Sequence, residues 1–261
     1  MATEIHPTAI VHPKAHLGVD VIVGPYTLIE ENTSVGDGCR IDPFAQIKSF
    51  TSMGKENHIH SYACVGGVPQ DLKFHGEESW LRMGDNNTVR EFVTLNRGTE
   101  GGGGVTSIGS RCLLMAYVHV AHDCRIGDQG IFSNGATLAG HVEVGAQAIV
   151  GGLSAVHQFV RIGDYAFVGG KTGVVQDVPP YMMAAGERAR LHGPNMVGLR
   201  RMKYPSETIQ ALKNTYRILW RSGMGKKEAV AEVEEKYPNF PEVRQVIDFM
   251  SKTERGITPA V

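Results

Sequence analysis

A chain of 261 residues that is 42% apolar and 20% charged, with net charge −1, has the composition of a soluble globular protein: one large domain, or one with a small appendage. No run approaches the ~18 apolar residues of a membrane span, and the opening MATEIHPTAIVHPK lacks a basic segment followed by an apolar one, so neither a span nor a signal peptide is expected. Cys39, Cys64, Cys112 and Cys124 form no CxxC pair, which predicts reduced thiols and a cytoplasmic protein rather than a disulfide framework.

From Ile5 the chain repeats every six residues. Apolar residues open ten hexads from Ile5 to Ile59, three from Met83 to Leu95, and twelve from Ile108 to Val174. The fifth place is Ala, Cys, Gly, Ser, Thr or Val except at Asn57 and Asn87, and Gly often takes the second place. A large and a small residue then point inward from each hexad, with Gly or Asn easing the corner. Three hexads make an 18-residue triangular coil, and coils stack at the parallel-strand spacing of ~4.8 Å. The fold expected is an all-β solenoid followed by helices: a parallel β-helix over 1–187 and a helical domain over 188–261. Two segments, near 65–82 and at 99–107, lose the beat and should loop outward, where solenoids carry function. The coil should end at Pro179 and Pro180, which cannot donate to a further strand. Beyond about 195, Ile209, Leu212, Tyr216 and Leu219 follow helical spacing between a start at Pro205-Ser206 and a stop at Gly223. KKEAVAEVEEKY and PEVRQVIDFMSK read as two more helices.

The repeat also places the histidines of YVHVAHDC and beyond. His119 is sixth in its hexad, His122 third, His141 fourth and His157 second, so none points inward. The hexads opening at 120, 138 and 156 lie on one face in successive coils. They predict a column of His122, His141 and His157, with His119 at the adjoining corner. Such a column could bind a metal, because imidazoles one coil apart can converge on one ion. It could equally supply a general base, with Asp123 holding the His122 tautomer and Gly140, one coil above, presenting a backbone N–H to an oxyanion. The second arrangement suits acyl transfer from a thioester to a hydroxyl without an enzyme nucleophile.

Charge is uneven. Residues 187–261 hold 14 Lys and Arg against 9 Asp and Glu, and within 187–223 the balance is 8 to 2. Nucleic acid, an acidic protein and a solvated helix face are the three readings of such a patch. Cys39, Cys112 and Cys124 fall on the inward fifth place and read as packing residues, as do Tyr216 and Trp220 on their helix. The Gly101–Gly104 run lacks the GxGxxG pattern and the following Lys-Ser/Thr of a phosphate loop.

PQDLKF, NRGT, HVAHDC, LAGHVEVG, AVHQF and QDVPPY occur in that order, and the chain resembles the UDP-N-acetylglucosamine O-acyltransferase family over its whole length. The resemblance implies a left-handed coil and a homotrimer with sites between subunits. It implies transfer of a 3-hydroxyacyl group from acyl carrier protein to the glucosamine 3-hydroxyl in lipid A synthesis. By it His122 is the general base, Asp123 its partner and Gly140 the oxyanion donor. His119, His141, His157, Gln158, Gln70, Asp71 and Lys73 contact substrate, Asn195 and Arg201 bind the nucleotide, and Gly170 sets acyl-chain length. It also implies no cofactor and no metal, because the carrier protein's phosphopantetheine arm is a substrate. Residues 187–223 become a dock for the acidic carrier protein rather than for nucleic acid. Asn96 stands where many members have His, and Val197 where many have Glu. Transfer to a 3-amino sugar nucleotide and a metal enzyme of carbonic anhydrase type are the alternatives; the related N-acyltransferases carry an extra domain before their coil.

Overall fold

The computed structural model describes residues 2–261. The chain winds as a left-handed parallel β-helix with three faces, here A, B and C, of eleven, nine and eight strands. Most strands are two residues long, the sixth of one hexad and the first of the next, and each pairs with its copy one coil away. Thus Ile5 pairs with Val23 on A, Val11 with Ile29 on B, and Leu17 with Val35 on C. First-place residues such as Ile29, Ile41, Leu95, Leu114 and Leu138 are fully buried, as are fifth-place Cys39, Ala45 and Ala63. The axis is therefore a stack of aliphatic layers.

The corners differ from the expectation of Gly or Asn. The left-handed residue is the fourth of the hexad and is usually neither: Tyr26 has φ 57°, Phe44 64°, Tyr62 64° and Tyr117 64°. A left-handed L-residue costs roughly 1–2 kcal/mol. At the A/B corner that cost is offset by stacking, because Tyr26, Phe44, Tyr62, Phe92 and Tyr117 form one ladder with ring centroids 5.0–5.2 Å apart. The second-place glycines serve close approach between coils instead. A Cβ on Gly127 would lie 2.6 Å from the backbone nitrogen of Ala146.

The two irregular fifth-place residues make a buried polar ladder. Asn57 donates to the carbonyls of Gly54 and Gly84, both at 2.9 Å, and its Oδ1 accepts from the backbone N and the side-chain Nδ2 of Asn87. Asn87 Oδ1 accepts from Cys112 N at 2.8 Å. Every side-chain polar atom of Asn57 and Asn87 is thereby paired. Asn57→Val should strand these partners in a dry interior and lower unfolding free energy by roughly 1–3 kcal/mol. Denaturant titration checks this.

Both outward loops leave the B/C corner. The first departs later than expected: Val65 still points inward, Cys64–Gly67 is a strand, and the chain rejoins face C as Trp80–Met83. The second contains a 3-10 turn, Glu100–Gly102, and rejoins as Val105–Ile108. The expectation that the coil ends at Pro179-Pro180 holds for face C, reduced there to one bridge between Ile162 and Val178. Face A continues past the prolines: Met182–Ala185 pairs in parallel with Phe167–Val168, and Arg190–Pro194 returns antiparallel. The prolines occupy one face only, and the next corner frees the chain to pair again.

Four helices follow: α1 Met196–Arg201, α2 Ser206–Arg221, α3 Lys226–Lys236 and α4 Pro241–Ser251. The predicted stripe of α2 is buried at Ile209, Leu212 and Tyr216, and Tyr216 donates its hydroxyl to Leu191 O at 2.9 Å. The tail then returns to the coil, with bridges from Ile257 to Asp177 and Ala260 to Leu191. Periodicity carried no trace of α1 or of this return. No helix among the described residues is long and apolar enough to cross a membrane.

Candidate active site at the B/C corner

Third- and fourth-place residues of face B hexads form the corner from which both loops emerge, and it holds two vertical ladders. His122, Gly140 and Gln158 occupy the third place in successive coils; Asp123, His141 and Phe159 occupy the fourth, with left-handed φ of 59°, 61° and 65°. The predicted single column is thus two adjoining ones. His119 is not at a corner: it lies on the flat of face B, where its Nδ1 bonds Thr94 Oγ1 at 2.7 Å. A sixth-place residue belongs to a strand, and the corner begins only at the third.

Asp123 anchors the corner. Its side chain is 1% exposed, sealed by the second loop. Oδ1 accepts from Thr99 N at 2.8 Å, and Oδ2 accepts from Thr99 Oγ1 at 2.7 Å and from His122 Nδ1 at 2.7 Å. Backbone Asp123 N in turn donates to Thr106 Oγ1 at 2.7 Å. Gly102 sits so close over the carboxylate that any Cβ there would overlap it. The glycine run set aside as a failed phosphate loop therefore allows a lid to close on Asp123. Thr99 is the fifth place of the Leu95 hexad and the end of the NRGT motif, but nothing in the repeat showed that it would bond Asp123, and Gly102 lies in the loop beyond the periodicity.

The carboxylate dictates the His122 tautomer. Nδ1 must carry the proton it donates, which leaves the Nε2 lone pair as the basic site. A Cβ on Gly140 would lie 2.7 Å from His122 Nε2 and 2.6 Å from Cε1, so the ring lies directly against this glycine. Among the described residues the Gly140 N–H has no acceptor. His141 meets the His122 ring edge-on at 5.1 Å, and Phe159 stacks on His141 at 4.5 Å. Phe159 stands one coil above His141, a relation visible in the repeat once the fourth place is known to form the corner.

Burial holds His119 and His141 below the usual histidine pKa, and for both the neighbouring His122 adds to the effect. Folded chains then bind fewer protons than unfolded ones, whose histidines titrate near about 6.5. This stability is complete above that value and is lost as pH falls through the lowered folded values. The thermal midpoint should drop on acidification below about pH 6.5, and less so in His119→Gln. A pH series of melting curves reads both.

The remaining predicted residues divide by position. Asp71 and Lys73 line a groove of about 680 Å³ with Thr99, Glu100, His141 and Phe159. Asp71 Oδ1 also accepts from Lys73 N at 3.0 Å, shaping the loop. Gln70, His157 and Gln158 are exposed. The His157 ring nitrogen lies 3.1 Å from Gln158 O, and among the described residues it makes no ring contact with His122 or His141. Asn96 is buried, with Nδ2 donating to Val68 O at 3.1 Å, and Arg97 beside it stacks over Phe50 and Phe74 to pin the first loop. Gly170 is at the A/B corner. Asn195 is near the C/A corner, where Nδ2 donates to Tyr165 O at 3.1 Å and Oδ1 caps α1 through Gly198 N at 3.0 Å. Arg201 and Val197 are exposed on α1. The predicted residues thus spread over all three corners of one prism, the flat of face B and α1, and only those at the B/C corner meet.

His122, Asp123 and His141 place ligand atoms close enough to hold a metal ion. The donor set argues for a base instead: Asp123 already accepts three hydrogen bonds, and its contact with His122 consumes the Nδ1 proton rather than a lone pair.

A prism of hexapeptide coils with a carboxylate-held imidazole over a glycine N–H, and no side-chain nucleophile in the cluster, defines a hexapeptide acyltransferase. Residues 106–140 match the bacterial transferase hexapeptide family, and residues 177–258 match UDP N-acetylglucosamine O-acyltransferase domain 2. The chain is 49% identical over 254 residues to the acyl-[acyl-carrier-protein]–UDP-N-acetylglucosamine O-acyltransferase of Thermodesulfovibrio yellowstonii, covering 97% of this chain and 98% of that one. It is 44% identical over 255 residues to the enzyme of the same name from Syntrophobacter fumaroxidans, covering 97% and 99%. The solved structure of LpxA from Acinetobacter baumannii superposes with a TM-score of 0.95 at 42% identity, covering 97% and 99%. The chain belongs to the UDP-N-acetylglucosamine O-acyltransferase family.

Proposed function

We infer that this chain transfers a 3-hydroxyacyl group from acyl carrier protein to the 3-hydroxyl of UDP-N-acetylglucosamine, a step of lipid A synthesis in the cytoplasm. The observation carrying the chemistry is the Thr99–Asp123–His122 relay lying against Gly140. His122 Nε2 takes the proton of the sugar hydroxyl as its oxygen attacks the thioester carbonyl. The tetrahedral oxyanion accepts from Gly140 N–H. Collapse expels the phosphopantetheine thiolate, which takes the proton back from the imidazolium. Asp123 stabilises that cation and keeps the ring in register. Each bond made and broken is thus matched by one proton carried by one ring, and the chemistry calls for neither a cofactor nor a metal.

Asp71, Lys73 and His141 line the groove, and with His119, His157, Gln158 and Gln70 they serve as substrate contacts. Gly170 and Asn195 stand at the other corners and Arg201 on α1, so their parts as acyl-chain stop and nucleotide contacts require a neighbouring subunit. A homotrimer with clefts between prisms meets that need. The diphosphate suits Arg201, and the basic 187–223 segment faces the acidic carrier protein.

Mass spectrometry of a mixture of protein, UDP-N-acetylglucosamine and a set of 3-hydroxyacyl carrier proteins, with and without chelator, tests the reading. Acylated sugar nucleotide formed equally in chelator is the expected result, and its mass gives chain length. Product only with the 3-amino analogue would move the acceptor and implicate Asn96 and Val197. No product with either sugar, together with a requirement for metal, would overturn it.

A further inference from the structure

The strand Cys64–Gly67 leads into the first loop, so its coil makes no B/C corner of its own between the coil of Phe50 and that of Arg97. The Arg97 side chain crosses that gap. Its guanidinium carbon lies 5.0 Å from the ring centroid of Phe50 and 5.2 Å from that of Phe74, within the loop. Phe50 in turn meets Trp80, at the far end of the loop, edge-on at 5.5 Å. The backbone grips the same ends: Arg97 N donates to Gly67 O at 3.0 Å, and Gly98 N to Trp80 O at 3.2 Å. The first loop is thus held at its start, its middle and its end from one short stretch of chain.

Packing alone does not call for arginine here. Arg97 is 8% exposed, and among the described residues its Nε has no hydrogen-bond partner. Burying such a cation opposes folding, and an apolar side chain would fill the gap with less penalty. What arginine adds is a flat cation wide enough to meet two rings at once. We propose that Arg97 is a positioning residue of the acyl-transfer site, setting the first loop so that its groove binds substrate; the proposal rests on the function inferred above. Phe74 N donates to Asp71 O at 3.0 Å and closes a tight turn, so the ring that Arg97 holds is the base of the turn carrying Asp71 and Lys73. Those two line the groove with His141 and Phe159. Further along, Glu77 accepts from His75 N at 2.8 Å and from Glu100 N at 3.4 Å, so the first loop also leans on the second. Thr99, two residues past Arg97, holds Asp123 by bonds of its own. Loop and base therefore share one stretch of chain but depend on different residues of it, and loss of the Arg97 plate leaves the base in place.

The test compares the full-length wild type with Arg97→Met, which keeps the reach of the side chain and removes its plate and charge. With both substrates varied, Arg97→Met should raise KM for at least one of them about tenfold or more while kcat stays within about threefold, the pattern of lost binding rather than of a lost transition-state contact. Hydrogen exchange should quicken across residues 66–79 and stay unchanged in the hexads. Phe74→Leu, which alters only the loop's side of the contact, should give the same split, and it decides the matter if Arg97→Met does not fold. A folded variant with unchanged KM, or one whose loss falls on kcat alone, would overturn the proposal. Absence of acyl transfer in the wild type would instead overturn the reading on which it rests.

Discussion

His122→Ala should lower kcat by about 10²–10⁴-fold, the usual contribution of a positioned general base, while the melting temperature changes little. The ring is a partly exposed corner residue outside the aliphatic stack, so its removal opens no core cavity. It does remove the one group whose tautomer is held by Asp123. Because that carboxylate keeps both Thr99 contacts, the second loop should stay closed. Single-turnover rates beside melting curves separate the two effects. An enzyme that kept most of its rate would rule His122 out as the base, whereas a collapsed melting curve would show that the corner depends on the ring for its fold.

Gly140→Ala adds one methyl group and should cost about a hundredfold or more in kcat, on the scale of a 1 Å misplacement of a catalytic group. The new Cβ would stand 2.6 Å from His122 Cε1 and 2.7 Å from Nε2, well inside contact distance. Gly140 backbone cannot yield, since it belongs to the coil above and its carbonyl accepts from Phe159 N. The imidazole must tilt, which breaks its alignment with Asp123 or turns Nε2 from the acceptor hydroxyl. The loss should fall on kcat more than on KM, because the groove formed by Asp71, Lys73 and Phe159 is untouched. Steady-state kinetics with both substrates varied reads this split, and an equal fall in affinity would point to a binding role for Gly140.

Aliphatic residues six apart needed no tertiary information to declare a coil, because every coil repeats one local solution and the inward places are set by the repeat itself. The same regularity brought His122, Asp123, Gly140 and His141 to one face, and family motifs named their expected roles. Insertions were legible only as breaks in the beat. The first adds two hexads' length and so hid its true start beyond Val65. What the repeat could not express is where the corner begins, and so it misjudged His119.

The hexad pattern and its motifs, read alone, determined the prism, the B/C histidines and the helical stripe of α2, since each depends on spacing along the chain. Tertiary structure alone decided that Thr99 and Gly102 close over Asp123 and that Asn195 caps α1. These contacts join residues across loops and coils, and a one-dimensional period carries no record of which side chains meet there.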